Sequence, residues 1–332
     1  MNNPIFTGAW GRCHIQGIAV DTEKGYLYYS FTTKLIKARL DGTVVGSVDG
    51  LMGHLGCIAF NKEDGRVYGS LEYKNDSIGK GILKNLGSEA VLEDAFYIAI
   101  FDVDKIDRLE MDAEKDGIMT SVYLKEVVDD YNAPGHRFGC SGIDGTTFAP
   151  YPGDTDGKQY LFVAYGIYSD VERSDNDHQV LLCYDIANWH RYEAPLSQLR
   201  MHKQGPERPK DKLFVYTGNT TYGVQNLEYD PQKKAFFMAV YPGKKPNFPN
   251  FHLFAANAAE RPTDGKLALL PLGEHHEATN TYGWRFRHGA TGLYSYGNGD
   301  WLISHEAICQ SGQCSFLYTY VFDEKRGFIL KD

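Results

Sequence analysis

The most restrictive feature of this chain is a segment that it uses twice near its start. His14-Ile-Gln-Gly-Ile-Ala-Val-Asp21 aligns with His54-Leu-Gly-Cys-Ile-Ala-Phe-Asn61. Each is followed by a polar turn containing Gly, Thr22-Glu-Lys-Gly25 and Lys62-Glu-Asp-Gly65. Each turn then runs into a strand ending in Ser, Tyr26-Leu-Tyr-Tyr-Ser30 and Arg66-Val-Tyr-Gly-Ser70. Apolar runs joined by such turns read as β-hairpins. Weaker copies follow: Asp144 to Pro150 with Gln159 to Ala164, Gln225 to Asp230 with Ala235 to Ala239, and Thr291 to Tyr296 with Trp301 to Ser304.

That makes five copies, anchored at Gln16, Gly56, Asp144, Gln225 and Thr291. A third strand is predicted after each hairpin at residues 35–40, 96–101, 180–184, 252–256 and 316–322, and a fourth at 44–48, 121–125, 212–216, 267–270 and 328–330. A repeated four-stranded unit cannot bury its faces alone, and closing the repeats into a ring protects their edges. The expected architecture is therefore all-β: a five-bladed β-propeller, one domain over 1–332, with blades at roughly 12–50, 51–130, 136–220, 221–275 and 284–332. A β-sandwich with irregular hairpins is the alternative. The anchors are spaced unevenly, by 40, 88, 81 and 66 residues, so the longer units carry insertions, at 75–92, 105–117, 168–178 and 190–211, with a short helix expected at 197–202. Either 4–10 or 327–330 could supply the strand that closes the ring.

Composition agrees with strands and turns. Aromatic residues make up 14%, with 23 Tyr and 18 Phe, which favour pleated half-buried surfaces, and 35 Gly serve many turns. The net charge of −9 and the lack of a basic run argue against a nucleic-acid or anionic-membrane partner. The first residues have neither a basic nor an apolar signal region, and no apolar run is long enough to span a bilayer, so a cytoplasmic location is expected. Reduced thiols follow from that location, including Cys309 and Cys314 across the tip Gln310-Ser-Gly-Gln313, a pair that could bridge in an oxidising place. The charge-dense stretch 104–116 reads as a solvated loop, and 170–177 lacks the Gly and Glu spacing of a calcium loop.

The hairpin Gln16-Gly-Ile-Ala-Val-Asp21 followed by Tyr26-Leu-Tyr resembles those of many β-propellers, lactonase-like ones included. The repeats are similar to five-bladed carbohydrate-active propellers, a class rich in glycoside hydrolases. Asp-box, Trp-Asp and kelch signatures are absent. The resemblance implies that the starts of the innermost strands and the loops after the second strands open on one face. The first set holds His14, Gln16, His54, Asp144, Tyr222, Gln225, Asn226 and His288, with His136 and Arg137 just beyond; the second holds Glu72, Tyr73, Lys74, Tyr165, Tyr241, His305 and Glu306.

So many ionisable groups near one axis must either neutralise one another or await a ligand, since burying an unpaired charge is costly. One expectation is glycoside hydrolysis of a small oligosaccharide by paired carboxylates, with Asp144 as base or nucleophile and Glu72 as acid, Glu306 substituting. Tyr73, Tyr165, Tyr222 and Tyr241 would supply stacking faces; Gln16, Gln225, Asn226 and His305 would bind hydroxyls; Lys74 and Arg137 would hold an anionic group. A second is a metal-dependent uronate lyase or lactonase, with His14, His54, His288 and His136 around a divalent ion, Zn²⁺, Mn²⁺ or Ca²⁺. A third is a non-catalytic binding propeller. No Gly-x-Ser-x-Gly elbow and no phosphate-binding Gly loop is present.

Overall fold

The computed structural model describes residues 3–331 and shows five antiparallel-rich sheets arranged as a five-bladed β-propeller. Blade one consists of Ile15–Asp21, Tyr26–Phe31, Lys34–Arg39 and Val44–Asp49 from the axis outward; blade two of His54–Asn61, Arg66–Tyr73, Ala95–Phe101 and Met119–Tyr123. Blade three consists of Cys140–Pro150, Gln159–Ile167, His178–Tyr184 and Asp211–Tyr216; blade four of Thr220–Asp230, Ala235–Pro242 and Leu253–Asn257. Blade five holds Leu293–Ser295, Asp300–Cys309 and Gly312–Asp323.

Five hydrophobic clusters fill the five gaps between neighbouring blades. One joins Ala19, Tyr28 and Leu35 of blade one to Ile58, Val67 and Leu71 of blade two, and another joins Ile18 and Val20 to Leu302 and Leu317 of blade five. Each blade is thus covered on both faces. That is why Ile15–Asp21 and Ala95–Phe101 are buried at every position rather than at every second one.

The outer edges are covered in a regular way. Met111–Asp112, from the insertion in blade two, pairs with the outer strand of blade one; Ala194–Pro195 does the same for blade two and Lys266–Leu267 for blade three. Each edge is therefore shielded by chain that follows the blade in sequence, which removes an unpaired row of backbone groups. Blade four lacks the fourth strand expected at 267–270, because Lys266–Leu267 belongs to its neighbour; its edge is met by single bridges from Leu269 and Trp284. In blade five both closing candidates are used. Ile5–Ala9 and Gly327–Leu330 pair with different stretches of Gly312–Asp323.

Two expectations are corrected. Residues 197–202 form no helix: the buried Gln198 side chain instead accepts from Met52 N and Tyr73 Oη and donates to the Gly50 carbonyl. The helices lie at Ser77–Leu86 and Lys125–Asn132. Cys309 and Cys314 are joined in a disulfide across the hairpin tip, with their Cα atoms 6.3 Å apart, while Cys13, Cys57, Cys140 and Cys183 are free. No helix among the described residues is long and apolar enough to cross a membrane.

Neighbouring blades are also tied by buried polar groups near the axis. Ser30 Oγ donates to the Gly56 carbonyl at 2.6 Å and Ser70 Oγ to the Asp144 carbonyl at 2.7 Å, so the Ser that ends each repeated hairpin reaches the next inner strand. Asn226 Nδ2 donates to the Gln16 carbonyl at 2.8 Å and to the Ala290 carbonyl at 2.9 Å, linking blade four to blades one and five. Asn226 is fully buried and outside the cavity described below, so its amide pins the ring instead of binding a hydroxyl. Asn226→Ala leaves two buried carbonyls unpaired and is expected to cost about 2–3 kcal/mol in urea denaturation. A loss below about 0.5 kcal/mol would show that the pin carries no stability.

Candidate functional site

The inner strands begin around a cavity of about 390 Å³ at one mouth of the axial channel. Local backbone irregularity places its side chains. The pairing of inner and second strand slips between Ile15 and Gly17, Leu55 and Ile58, Ile143 and Thr146, and Val224 and Asn226. The repeat anchors Gln16, Gly56, Asp144 and Gln225 fall inside these slips. A bulge leaves its extra residue unpaired and re-aims the side chain; here Gln16, Asp144 and Gln225 line the cavity. Gly56 contributes space: a Cβ there would collide with Asp144 Oδ1 and come within 2.5 Å of Ser70 Oγ. Gly142, at φ +126°, does the same for Glu72, whose Oε2 lies where its Cβ would project.

Glu72, one residue before the end of the second strand of blade two, is the best-held group of the site. Its Oε1 lies 2.5 Å from Lys74 Nζ, and both side chains are only 5% exposed. Its Oε2 accepts from the Ile143 N–H at 3.1 Å. Lys74 also donates to the Ser141 carbonyl at 2.9 Å, so the pair bridges blades two and three. Burial pushes the Glu72 carboxyl up, while Lys74 and the Ile143 N–H pull it back. Lys74 is held up at about 12 because its carboxylate neighbours outweigh its burial.

Asp144 is the other buried carboxyl, 6% exposed. Its Oδ1 accepts from the Cys57 N–H at 3.2 Å, and it makes no ion pair among the described residues. Burial first, and the charge of Glu72 second, raise it well above the usual carboxylate range. The two carboxyls thus sit in different environments: Glu72 has a counter-charge in contact, and Asp144 has none. His54 pairs with Glu72 in the strand register, its Nδ1 3.6 Å from Glu72 Oε1 and otherwise unpartnered. Burial, then Lys74 and His14, push its imidazole down to about 3.

The remaining wall is polar and aromatic. Gln16 Nε2 lies 3.0 Å from His14 Nε2 and 3.2 Å from Thr32 Oγ1; Tyr241 is partly buried and Tyr222, 45% exposed, stands at the mouth. The helix Ser77–Leu86 closes one side through Ile78, Ile82 and Asn85. This wall was read in the sequence as an inserted loop, although its signals were there: Asp76 caps the helix by accepting from the Ile78 and Gly79 N–H groups, and Gly87 ends it at φ +67°.

The cavity brings together His14, Gln16, His54, Glu72, Lys74, Asp144, Tyr222, Gln225 and Tyr241. Other residues expected beside them lie elsewhere. Tyr73 points to the opposite face from Glu72, into the core between blades one and two, and donates to Gln198. Tyr165 is buried and donates to Asp130 Oδ2, and Arg137 pairs with Asp130 Oδ1 at 2.8 Å. Glu306 is exposed and does not line the cavity. The imidazoles do not gather: His288 stacks on His305 at 3.5 Å, His305 Nε2 meets Tyr320 Oη at 2.7 Å, and His136 lies between Tyr131 and Tyr168. Among the described residues no three His, Cys, Asp or Glu side chains are arranged to hold a metal ion. Within the cavity Lys74 already fills the cation position beside Glu72, so the residues do not fit the expected divalent ion.

No family model matches this chain, and no curated protein matches it. Among solved structures it is similar in fold to the Dos1 propeller (11% identity, TM-score 0.39, 96% of this chain and 59% of that one). It is likewise similar to a GH43 β-1,3-galactosidase solved with galactodeoxynojirimycin (12%, TM-score 0.46, 99% and 98%). A third is a periplasmic gluconolactonase of Pseudomonas aeruginosa (12%, TM-score 0.40, 95% and 83%). The chain spans less than two thirds of the Dos1 propeller chain.

An NMR titration of the imidazoles checks the electrostatics of the site. His54 is expected to stay neutral down to about pH 4, and Lys74→Met to raise its midpoint by removing the nearest cation. A midpoint near the ordinary histidine value of about 6.5 in the unaltered protein would contradict the burial described here.

Proposed function

We propose that this chain is a glycoside hydrolase acting on a small oligosaccharide, with Asp144 as general acid and Glu72 as the ionised carboxylate. The observation that carries the reading is the unequal setting of the two buried carboxyls: Lys74 touches Glu72 and no cation touches Asp144. Glycosidic cleavage needs such a pair, one carboxyl keeping its proton to give to the leaving oxygen and the other charged to act at the sugar carbon. The roles are exchanged relative to those expected from sequence, because the lysine that fixes the charge is two residues from Glu72.

The rest of the wall supports a hydroxyl-rich ligand. The amides of Gln16 and Gln225 offer donors and acceptors, and the rings of Tyr222 and Tyr241 offer apolar faces for sugar C–H groups. The closing helix favours a short substrate over a polymer. Activity should rise with pH as Glu72 ionises and fall again as Asp144 loses its raised proton, giving a bell-shaped profile.

The test is a panel of aryl glycosides and short oligosaccharides. With a substrate that is turned over, Asp144→Asn should lose about 10²–10⁴-fold on a poor leaving group but stay near the unaltered rate on a dinitrophenyl glycoside, which leaves without protonation. Glu72→Gln should lose both activities, and each variant should melt within a few degrees of the parent. Full activity of Asp144→Asn on an oligosaccharide, or no turnover of any panel member, would overturn the proposal.

A further inference from the structure

The inner strands open at their other ends on a second cavity of about 400 Å³, whose floor is apolar (Ile18, Ala19, Ile58 and Ala59). Its wall is aromatic, with Phe60, Phe148, Tyr229, Tyr294 and Tyr296 contributed by four blades. Several of these rings are braced by others. Phe60 stacks on Tyr28 at 6.0 Å, Phe148 meets Tyr68 edge-on at 5.2 Å, and Tyr294 meets Tyr296 edge-on at 5.1 Å.

One carboxylate stands among the rings. Glu228 Oε1 accepts from the Ser295 N–H at 2.9 Å, while Oε2 has only a long bond from Thr147 Oγ1 at 3.4 Å. It makes no ion pair among the described residues, and its nearest cationic influence, Lys62, is exposed at the rim. Burial pushes the Glu228 carboxyl up to about 8, with Asp230 on its own strand adding to the rise and Lys62 from blade two opposing it. Tyr294 of blade five feels the charges of both Glu228 and Asp21. The lining therefore sets two carboxyls, Glu228 and Glu63, and the aromatic rings against one cation, Lys62, whereas the cavity holding Glu72 and Asp144 has both Lys74 and Arg12 in its lining.

We propose that this second cavity binds a small organic cation of the quaternary ammonium type, seated against the aromatic faces with Glu228 as its counter-charge. Ring faces carry a negative quadrupole that attracts a diffuse cation, and a quaternary ammonium surrenders little hydration on entering such a cage. An anion would face the carboxyls of Glu228 and Glu63. A neutral polyol would give Glu228 no counter-charge, so its carboxyl would keep its proton. The inference rests on no part of the reading of the Glu72 cavity.

The experiment is calorimetric titration of the full chain with choline and benzyltrimethylammonium, beside the uncharged isostere 3,3-dimethylbutan-1-ol. At about pH 9, where Glu228 is ionised, each cation should bind at least about tenfold more tightly than the alcohol, and the preference should shrink at about pH 6. Glu228→Gln should abolish the preference, Tyr294→Leu should weaken cation binding, and Glu72→Gln should leave it unchanged. Equal binding of cation and alcohol, no cation binding, a preference that survives Glu228→Gln, or loss of binding in Glu72→Gln would each overturn the proposal.

Discussion

Five inner strands converge on one axis, and the shortage of space there governs the rest of the molecule. A Cβ on Gly17 would sit 2.9 Å from the Cys57 backbone, and one on Gly145 equally close to Leu227. A Cβ on Gly292 would sit 2.9 Å from Ser304. Four anchors of the repeat therefore carry or adjoin glycine, and the remaining anchor, Gln225 of blade four, is followed by Asn226, whose amide spans to both neighbours. Contacts this tight require glycine where the inner strands approach one another. The two cavities lie at opposite ends of the inner strands and differ in character.

The cavity holding Glu72 and Asp144 follows from the same crowding. Gly56 and Gly142 are small because carboxylates occupy the volume their side chains would take. A carboxylate pressed into such a place is desolvated, and its protonation then depends on its nearest counter-charge. Lys74, two residues after Glu72, touches Glu72 at 2.5 Å and reaches Asp144 only at a distance. Asp144, one blade further round, has the Cys57 N–H and the Gln225 amide beside it and no cation in contact, so burial and the Glu72 charge prevail. The unequal pair thus comes from the position of one lysine on a shared scaffold.

The propeller and most of its strands were legible because the inner hairpins bury both faces and their turns keep Gly at fixed offsets, as Gly25 and Gly65 do. Much of the cavity wall was legible for the same reason: the aligned positions Gln16, Asp144 and Gln225 coincide with bulges. Parity was not legible. Glu72 and Tyr73 are adjacent, so both looked available, yet one faces the cavity and the other the core. Nor could spacing reveal that Tyr165, Arg137 and Lys212 converge on buried Asp130, since that network draws on three separate segments. Helix Ser77–Leu86 was hidden by Gly79 and Gly81, although a Cβ at Gly79 would collide with the Lys74 carbonyl. The Cys309–Cys314 bridge depends on redox surroundings that residue spacing does not record.

The central claim is that Lys74 holds Glu72 charged while Asp144 keeps its proton. The most direct measurement is a pH titration of the side-chain carboxyl carbons of labelled Asp and Glu by NMR, assigned with Asp144→Asn and Glu72→Gln. Asp144 should titrate at higher pH than Glu72, and Lys74→Met should move Glu72 upward towards it. If Glu72 titrates above Asp144, or both titrate near the ordinary carboxylate values of about 4, the division of roles between them is wrong.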